Sequence, residues 1–316
     1  LRGRSPRTGP AGDSYGERPL LAHVAGQLTF EGTARRTRVE LSHRALAGGE
    51  LINQETADGM SWAVAMGALG WCDDFDTFEA MHRLVLEDAR RRGSVIGFAT
   101  AIYGLSFTHY YRGRLADAVA DAEQAIAAES AGRRHFLTAA RAQLAWALIE
   151  LGELEHATAE LQRAHADAAY ERSSTQALVL EARAKIELLR GRPELALQTA
   201  LDAGRVAAEA RIPNPSLIPW CRQAALAAGA IVDRDRAEAL LHEELELVRR
   251  FGAPRPIGVT LTAAGVVRGA EGARSARGDG REAGRLAASR VRPPSRRTTG
   301  AEALTPAERR VAGRAG

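Results

Sequence analysis

Between residues 19 and 267 apolar residues recur at i, i+3, i+4 and i+7, in short segments separated by polar or glycine-bearing turns. Five columns of this pattern repeat at a constant step of 39 residues: Tyr110, Ile149 and Leu188; Gly113, Gly152 and Gly191; Ala118, Ala157 and Ala196; Ala122, Leu161 and Ala200; Ala125, Ala164 and Ala203. A bulky apolar residue ends one helix, a glycine turns the chain, and small residues line one face of the next helix so that its backbone packs closely on a neighbour. Phe78, about 40 residues before Ala118, and Ala237, about 41 after Ala196, extend the series as weaker copies.

The pattern predicts helices over 19–30, 34–47, 58–71, 76–92, 95–111, 115–130, 134–151, 154–169, 174–190, 193–210, 215–230, 234–251 and 256–267, with neighbours antiparallel. Asn214 followed by Pro215 reads as a cap and a first-turn proline, so a helix is expected to start there. Pro193 takes the same first-turn role, in the position of Leu115 and Leu154 in the other copies. Gly93 and Gly252 read as left-handed helix stops.

The expected fold is all-α, a solenoid of antiparallel helix pairs with a repeat of about 39 residues. Composition agrees: the chain is 45% apolar but only 5% aromatic, so alanine and leucine supply the surface that helix crossings need. No strand-like alternation is sustained, and no apolar run of the roughly 18 residues that span a bilayer is present, so no membrane partner is expected. Residues 1–18, rich in Gly, Pro and Arg and without the apolar segment of a signal peptide, read as a disordered lead-in, and the chain as cytoplasmic.

Charge changes the picture at the C-terminus. From Arg268 to Gly316 twelve arginines face five acids, a net +7, which leaves −3 for the residues before it out of a total of +4. The helical array is mildly acidic and does not read as a nucleic-acid-binding solenoid. Glycines, Pro293 and Pro294 interrupt a stretch with few large apolar residues, so 268–302 is expected to be a disordered basic linker.

Little in the array suggests chemistry. Cys72 and Cys221 sit within apolar helical patterns and read as buried packing thiols. Lys185, the sole lysine, follows no glycine-rich turn, and no G-x-x-x-x-G-K-[ST] loop is present, so the chain itself is expected to hold no nucleotide or other cofactor. Asp73, Asp74, Asp76 and Glu79 read as the acid-rich start of a helix. The eight histidines are scattered without the spacing of a metal pair, and neither Ser42 with His43 nor Ser106 with His109 has an elbow to present a nucleophile. Trp62, Trp71, Trp146 and Trp220 read as core anchors. No enzyme is expected.

The C-terminal stretch Leu304-Thr305-Pro306-Ala307-Glu308-Arg309-Arg310-Val311-Ala312 is different in kind. Thr305 as N-cap, Pro306 at the first helical position and Glu308 at the third form a capping box, with Leu304 and Val311 as apolar contacts. L-T-P-x-E-R-x-V resembles the opening of the LuxR-type helix-turn-helix domain, matched here by Leu304, Thr305, Pro306, Glu308, Arg309 and Val311. The segments Pro19 to His23, Ala89 to Val95, Asn214 to Trp220 and Phe251 to Arg255 are similar to the helical region of large ATP-binding LuxR-family regulators.

The resemblance implies a transcriptional regulator with a tetratricopeptide-like arm over 19–267 and the truncated start of a DNA-binding domain over 303–316. It implies ATP only through an N-terminal domain outside these residues, and DNA as a partner only for the longer protein. On the helical-repeat surface it implies a protein partner or small effector. The alternative is a stand-alone helical scaffold that binds a protein or peptide along its concave face.

Overall fold

The computed structural model describes residues 11–33, 35–130, 136–168 and 175–269. Among these the fold is all-helical, with no strand. The helices are α1 (Glu17–Phe30), α2 (Arg35–Leu46), α3 (Glu50–Glu55), α4 (Ser61–Trp71), α5 (Phe75–Arg92), α6 (Val95–Tyr111) and α7 (Leu115–Ser130). They continue as α8 (Leu137–Leu151), α9 (Leu154–Ala168), α10 (Thr175–Leu189), α11 (Pro193–Glu209), α12 (Trp220–Ala230) and α13 (Arg234–Phe251). A last helix, α14, spans 254–269.

The repeat is visible bond by bond. Gly113, Gly152 and Gly191 all take left-handed backbone conformations, at φ 75°, 86° and 75°. Each amide donates to the carbonyl three residues back, and the next amide reaches five back: Arg114 to His109 at 2.9 Å, Glu153 to Leu148 at 2.9 Å and Arg192 to Glu187 at 2.9 Å. These paired bonds close the orphan carbonyls of α6, α8 and α10 in one way. Ala118, Ala157 and Ala196 then enter the following helices at equivalent places, each at most 1% exposed.

The weaker copies obey the same geometry without glycine. Asp73 at φ 63° and Val232 at φ 66° occupy the left-handed position, and Asp74 and Asp233 bond back to Leu69 and Ala228, each at 3.0 Å. Asp74 and Asp233 also cap the next helix, accepting from the amides of Thr77 and Arg236. Phe78 and Ala237 are buried at the positions of the repeating alanine. A β-branched residue in this conformation is strained, because its Cβ crowds the carbonyl, and Val232 is 76% exposed with no packing to offset it.

Even-numbered helices form an inner layer: α8 packs on both α6 and α10, and α12 on α10, while each also packs on its outer partners. α8 is buried along nearly its whole length, from Leu137 to Glu150. The outer helices α5, α9, α11 and α13 carry a charged face to solvent, as a helix covered on one side only must. At Gly104 an added Cβ would lie 2.0 Å from His82 Nε2, so α5 and α6 can cross only where that side chain is missing.

Three expectations need correction. No helix starts at Asn214: its side-chain oxygen accepts from Ser216 N at 3.0 Å in a local turn, and α12 begins at Trp220. Pro219 is the reason, since a proline excludes helical geometry from the residue before it. The short α3, preceded by a 3-10 turn over Ala47–Gly49, was not expected. The array also extends through 254–269, so the boundary expected at 267 lies inside α14. The α1 helix opens at Glu17, whose carboxylate accepts from the amides of Gly12 and Asp13, each at 3.1 Å.

The array closes on itself. Arg35 Nε donates to the Cys72 carbonyl at 2.8 Å, and Arg38 Nη2 to the Phe251 carbonyl at 2.8 Å, with its guanidinium 3.7 Å over the Phe251 ring. Arg255 binds Asp73 through both backbone N (2.8 Å) and Nε (2.9 Å). Asn214 Nδ2 donates to the Thr29 carbonyl at 2.8 Å. Trp71 packs with Cys72, Phe251 and Ala253 on one side and with the Ile212–Leu217–Ile218 cluster on the other. Residues from the two ends of the array thus share one core.

Two substitutions should move stability in opposite directions. Ala157→Arg forces a charged chain into a fully buried helix crossing and is expected to cost about 2 kcal/mol or more. Val232→Gly relieves the left-handed strain and, after the entropy glycine adds to the unfolded chain, should stabilise by about 0.5 kcal/mol. Urea unfolding followed at 222 nm reads both; unchanged stability for Ala157→Arg would refute the repeat register.

Candidate functional site

Polar groups that have no place in an ordinary helix core line the inner layer. On α8, Gln143, Trp146 and Glu150 fall at i, i+3 and i+7 and so share a face. On α10, Glu181 and Lys185 are one turn apart, and α12 brings Arg222 and Gln223. On α6, Tyr103, Tyr110 and Tyr111 contribute rings. Arg255 enters from the start of α14, stacked 4.0 Å from the Tyr111 ring centre.

These groups form a chain of contacts. Lys185 Nζ lies 2.5 Å from Glu150 Oε1, and Gln223 Nε2 donates to Glu181 at 2.9 Å. Glu244, reaching in from α13, accepts from Arg222 N at 2.5 Å and from the Thr260 hydroxyl at 2.8 Å. Tyr110 stands between Trp146, at 6.1 Å between ring centres, and Tyr111, at 5.0 Å. Tyr103 stacks on Phe136 at 5.9 Å.

The electrostatics are those of a deep wall. The three tyrosines keep part of their surface accessible, yet desolvation pushes the Tyr103 hydroxyl up to about 12, Tyr110 well above its ordinary value and Tyr111 upward too. Desolvation also raises the Glu181 carboxyl, against the pull of Lys185 and Arg222. Glu244 is raised for the same reason, opposed by Arg222 and by the Thr260 hydrogen bond. Burial alone would lower Arg255, but Tyr111 and Asp73 outweigh it and raise the guanidinium.

The candidates singled out in the sequence fall elsewhere or in lesser roles. Cys72 and Cys221 are buried thiols, Cys72 pushed up to about 11 and Cys221 higher by desolvation, so neither is a nucleophile at neutral pH. Asp74 and Asp76 open α5 as the acid run suggested, whereas Asp73 is spent on Arg255. Ser106 donates to the Ala118 carbonyl and His109 faces Asp121, so that serine has no histidine partner; His43 pairs with Asp74 at 2.8 Å. Trp62 is a core anchor at 1% exposure, whereas Trp146 belongs to the polar wall. Among the described residues no group of His, Cys, Asp and Glu is arranged to hold a metal ion, and no helix is long and apolar enough to cross a membrane. Leu304, Thr305, Pro306, Glu308, Arg309 and Val311 lie outside the described residues.

Sequence reading passed over the wall although one signal for it was present. The sole lysine and the acids Glu150 and Glu181 fall in helices rich in alanine and leucine, most of whose residues are buried, and an ionisable group in such a helix marks a place where charges meet. No protein-family model matches the chain, and comparison with curated proteins finds no match.

Buried His82 gives the fold a measurable pH dependence. Its Nδ1 donates to the Phe78 carbonyl at 2.8 Å, and desolvation lowers it to about 4. A depressed folded pKa contributes stability that is complete above 6.5 and is lost as pH falls through 4, here about 3 kcal/mol. Glu181 and Glu244 act in the opposite sense: their raised values favour the fold at acid pH and cost stability as pH rises past 4.5. Ring-proton NMR should show His82 still neutral at about pH 5; titration near its ordinary value would contradict the buried geometry.

Proposed function

We propose that the chain is the effector-sensing helical arm of a LuxR-type transcriptional regulator, acting in the cytoplasm and not as an enzyme. Two features support the reading. The Leu304 to Val311 motif and the helical segments resemble that family, and the inner wall offers what a small effector needs: rings to stack against and fixed polar groups of both signs. The wall is the observation that carries it. The alternative of a scaffold for an extended protein is less well supported, because Asn214 on Thr29 and Arg255 on Asp73 tie together segments far apart in the array, where an extended partner calls for an open one.

In this reading DNA recognition belongs to residues beyond the motif, since in helix-turn-helix domains a later helix enters the major groove. What the chain itself brings to DNA is the basic stretch after Arg268, whose contacts are with phosphates and carry no sequence information.

Competition binding at roughly 150 mM salt should therefore find weak affinity, on the order of 10⁻⁴ to 10⁻⁶ M, with no preference for a promoter fragment over a scrambled one. Discrimination of about tenfold, or about 1.4 kcal/mol, would place sequence-reading residues within the chain. The longer reading frame is expected to continue into a complete helix-turn-helix; a frame without one removes the regulator reading.

A further inference from the structure

The protein leaves several polar groups on the inner wall open. Gln143 is 1% exposed, and neither its Oε1 nor its Nε2 has a hydrogen-bond partner. Glu150 is 3% exposed; it gives Oε1 to Lys185 and keeps Oε2 unengaged. Arg255 uses Nε on Asp73 and leaves Nη2 open, while Arg222 faces Glu244 and leaves Nε open. A buried polar group left without a partner is costly, so folded proteins keep few of them and each one on the wall requires a reason.

The open groups have a definite chemistry. One is a carboxylate oxygen that can take a cation, and two are guanidinium N–H groups that can take an anion. They belong to one neighbourhood: Arg255 lies 4.0 Å over the Tyr111 ring, Tyr111 is 5.0 Å from Tyr110, and Tyr110 is 6.1 Å from Trp146, one turn before Glu150 on α8. Gln223, beside Arg222 on α12, bonds Glu181 of α10 at 2.9 Å. The two tyrosines therefore stand between an accepting end and a donating end. A ligand with only a negative charge would leave the Glu150 oxygen buried and unpaired, and one with only a positive charge would leave both arginine groups so.

We propose that the inner wall binds a small zwitterion of the amino-acid class, its ammonium on Glu150, its carboxylate on Arg222 and Arg255, and its apolar body against Tyr110 and Tyr111. The assignment rests on the reading of the array as an effector-sensing arm and names the effector's class. Gln143, open at both ends of its amide, sits two turns from Glu150 on α8, about 10 Å along the helix, and serves a further polar group of the ligand. Water filling the wall is the competing account, and it predicts no saturable ligand.

The test uses purified 1–316. Thermal-shift screening of the standard L-amino acids at about 1 mM selects the compound that stabilises most. Calorimetric titration then compares that compound with its decarboxylated amine and its deaminated acid. The proposal expects the zwitterion to bind at least about tenfold tighter than either analogue, about 1.4 kcal/mol. Glu150→Gln should erase its advantage over the deaminated acid, and Arg222→Gln its advantage over the amine, with folding checked by circular dichroism. The analogue series decides even if a variant fails to fold. No stabilising amino acid, or an analogue that binds as well as its parent, overturns the proposal. The second result would leave a ligand-binding arm that takes another class, whereas the regulator reading stands or falls on the reading frame and the DNA competition.

Discussion

The ion pair between Asp73 and Arg255 joins positions 182 residues apart, and the enclosure of the inner wall depends on it and its neighbours. A helical repeat array left to itself is held only by nearest-neighbour interfaces and stays open. Here Arg38 reaches Phe251, Asn214 reaches Thr29 and Asp73 receives both the backbone and the side chain of Arg255. The Asp73 side chain is 12% exposed and that of Arg255 23%, so the pair is shielded from solvent well beyond a surface bridge. The same guanidinium lies on Tyr111, which couples closure of the array to the ring at the centre of the wall.

Closure sets the electrostatics of the inner face. Deep surroundings raise Tyr103, Tyr110, Tyr111, Glu181 and Glu244 together, a set of shifts that desolvation produces and that an exposed concave surface would not. Arg38, fully buried at the seam, is itself lowered to about 10 by the same cause. The wall thus holds charges in a medium where each unpaired group is costly, which favours a ligand able to complete the pairs. Outside, ion pairs such as Arg190 with Glu155 at 2.7 Å join neighbouring helices and add little energy, because water screens them.

Local features of the fold were legible because they are written locally. The glycines at 113, 152 and 191 and the alanines that follow them fix the turn and the crossing in each copy, and periodicity alone finds them. Turns at Asp73 and Val232 were visible only as weaker copies, since neither position carries the glycine that marks the turn in the other copies. The Asn214 cap was misread because Pro219, five residues on, delays α12 until Trp220. The wall escaped notice for a different reason: Glu150, Glu181, Arg222 and Glu244 come from helices far apart in sequence, and nothing in a one-dimensional pattern pairs them.

Whether the two ends of the array meet is the claim on which the account of the wall depends. A double-mutant cycle on urea stability with Asp73→Ala, Arg255→Ala and the pair measures it most directly. The account predicts a coupling energy of about 1 kcal/mol or more, since the two residues share one hydrogen-bonded contact. Effects that add within about 0.5 kcal/mol would mean that the ends do not touch in solution and that the inner wall stands open.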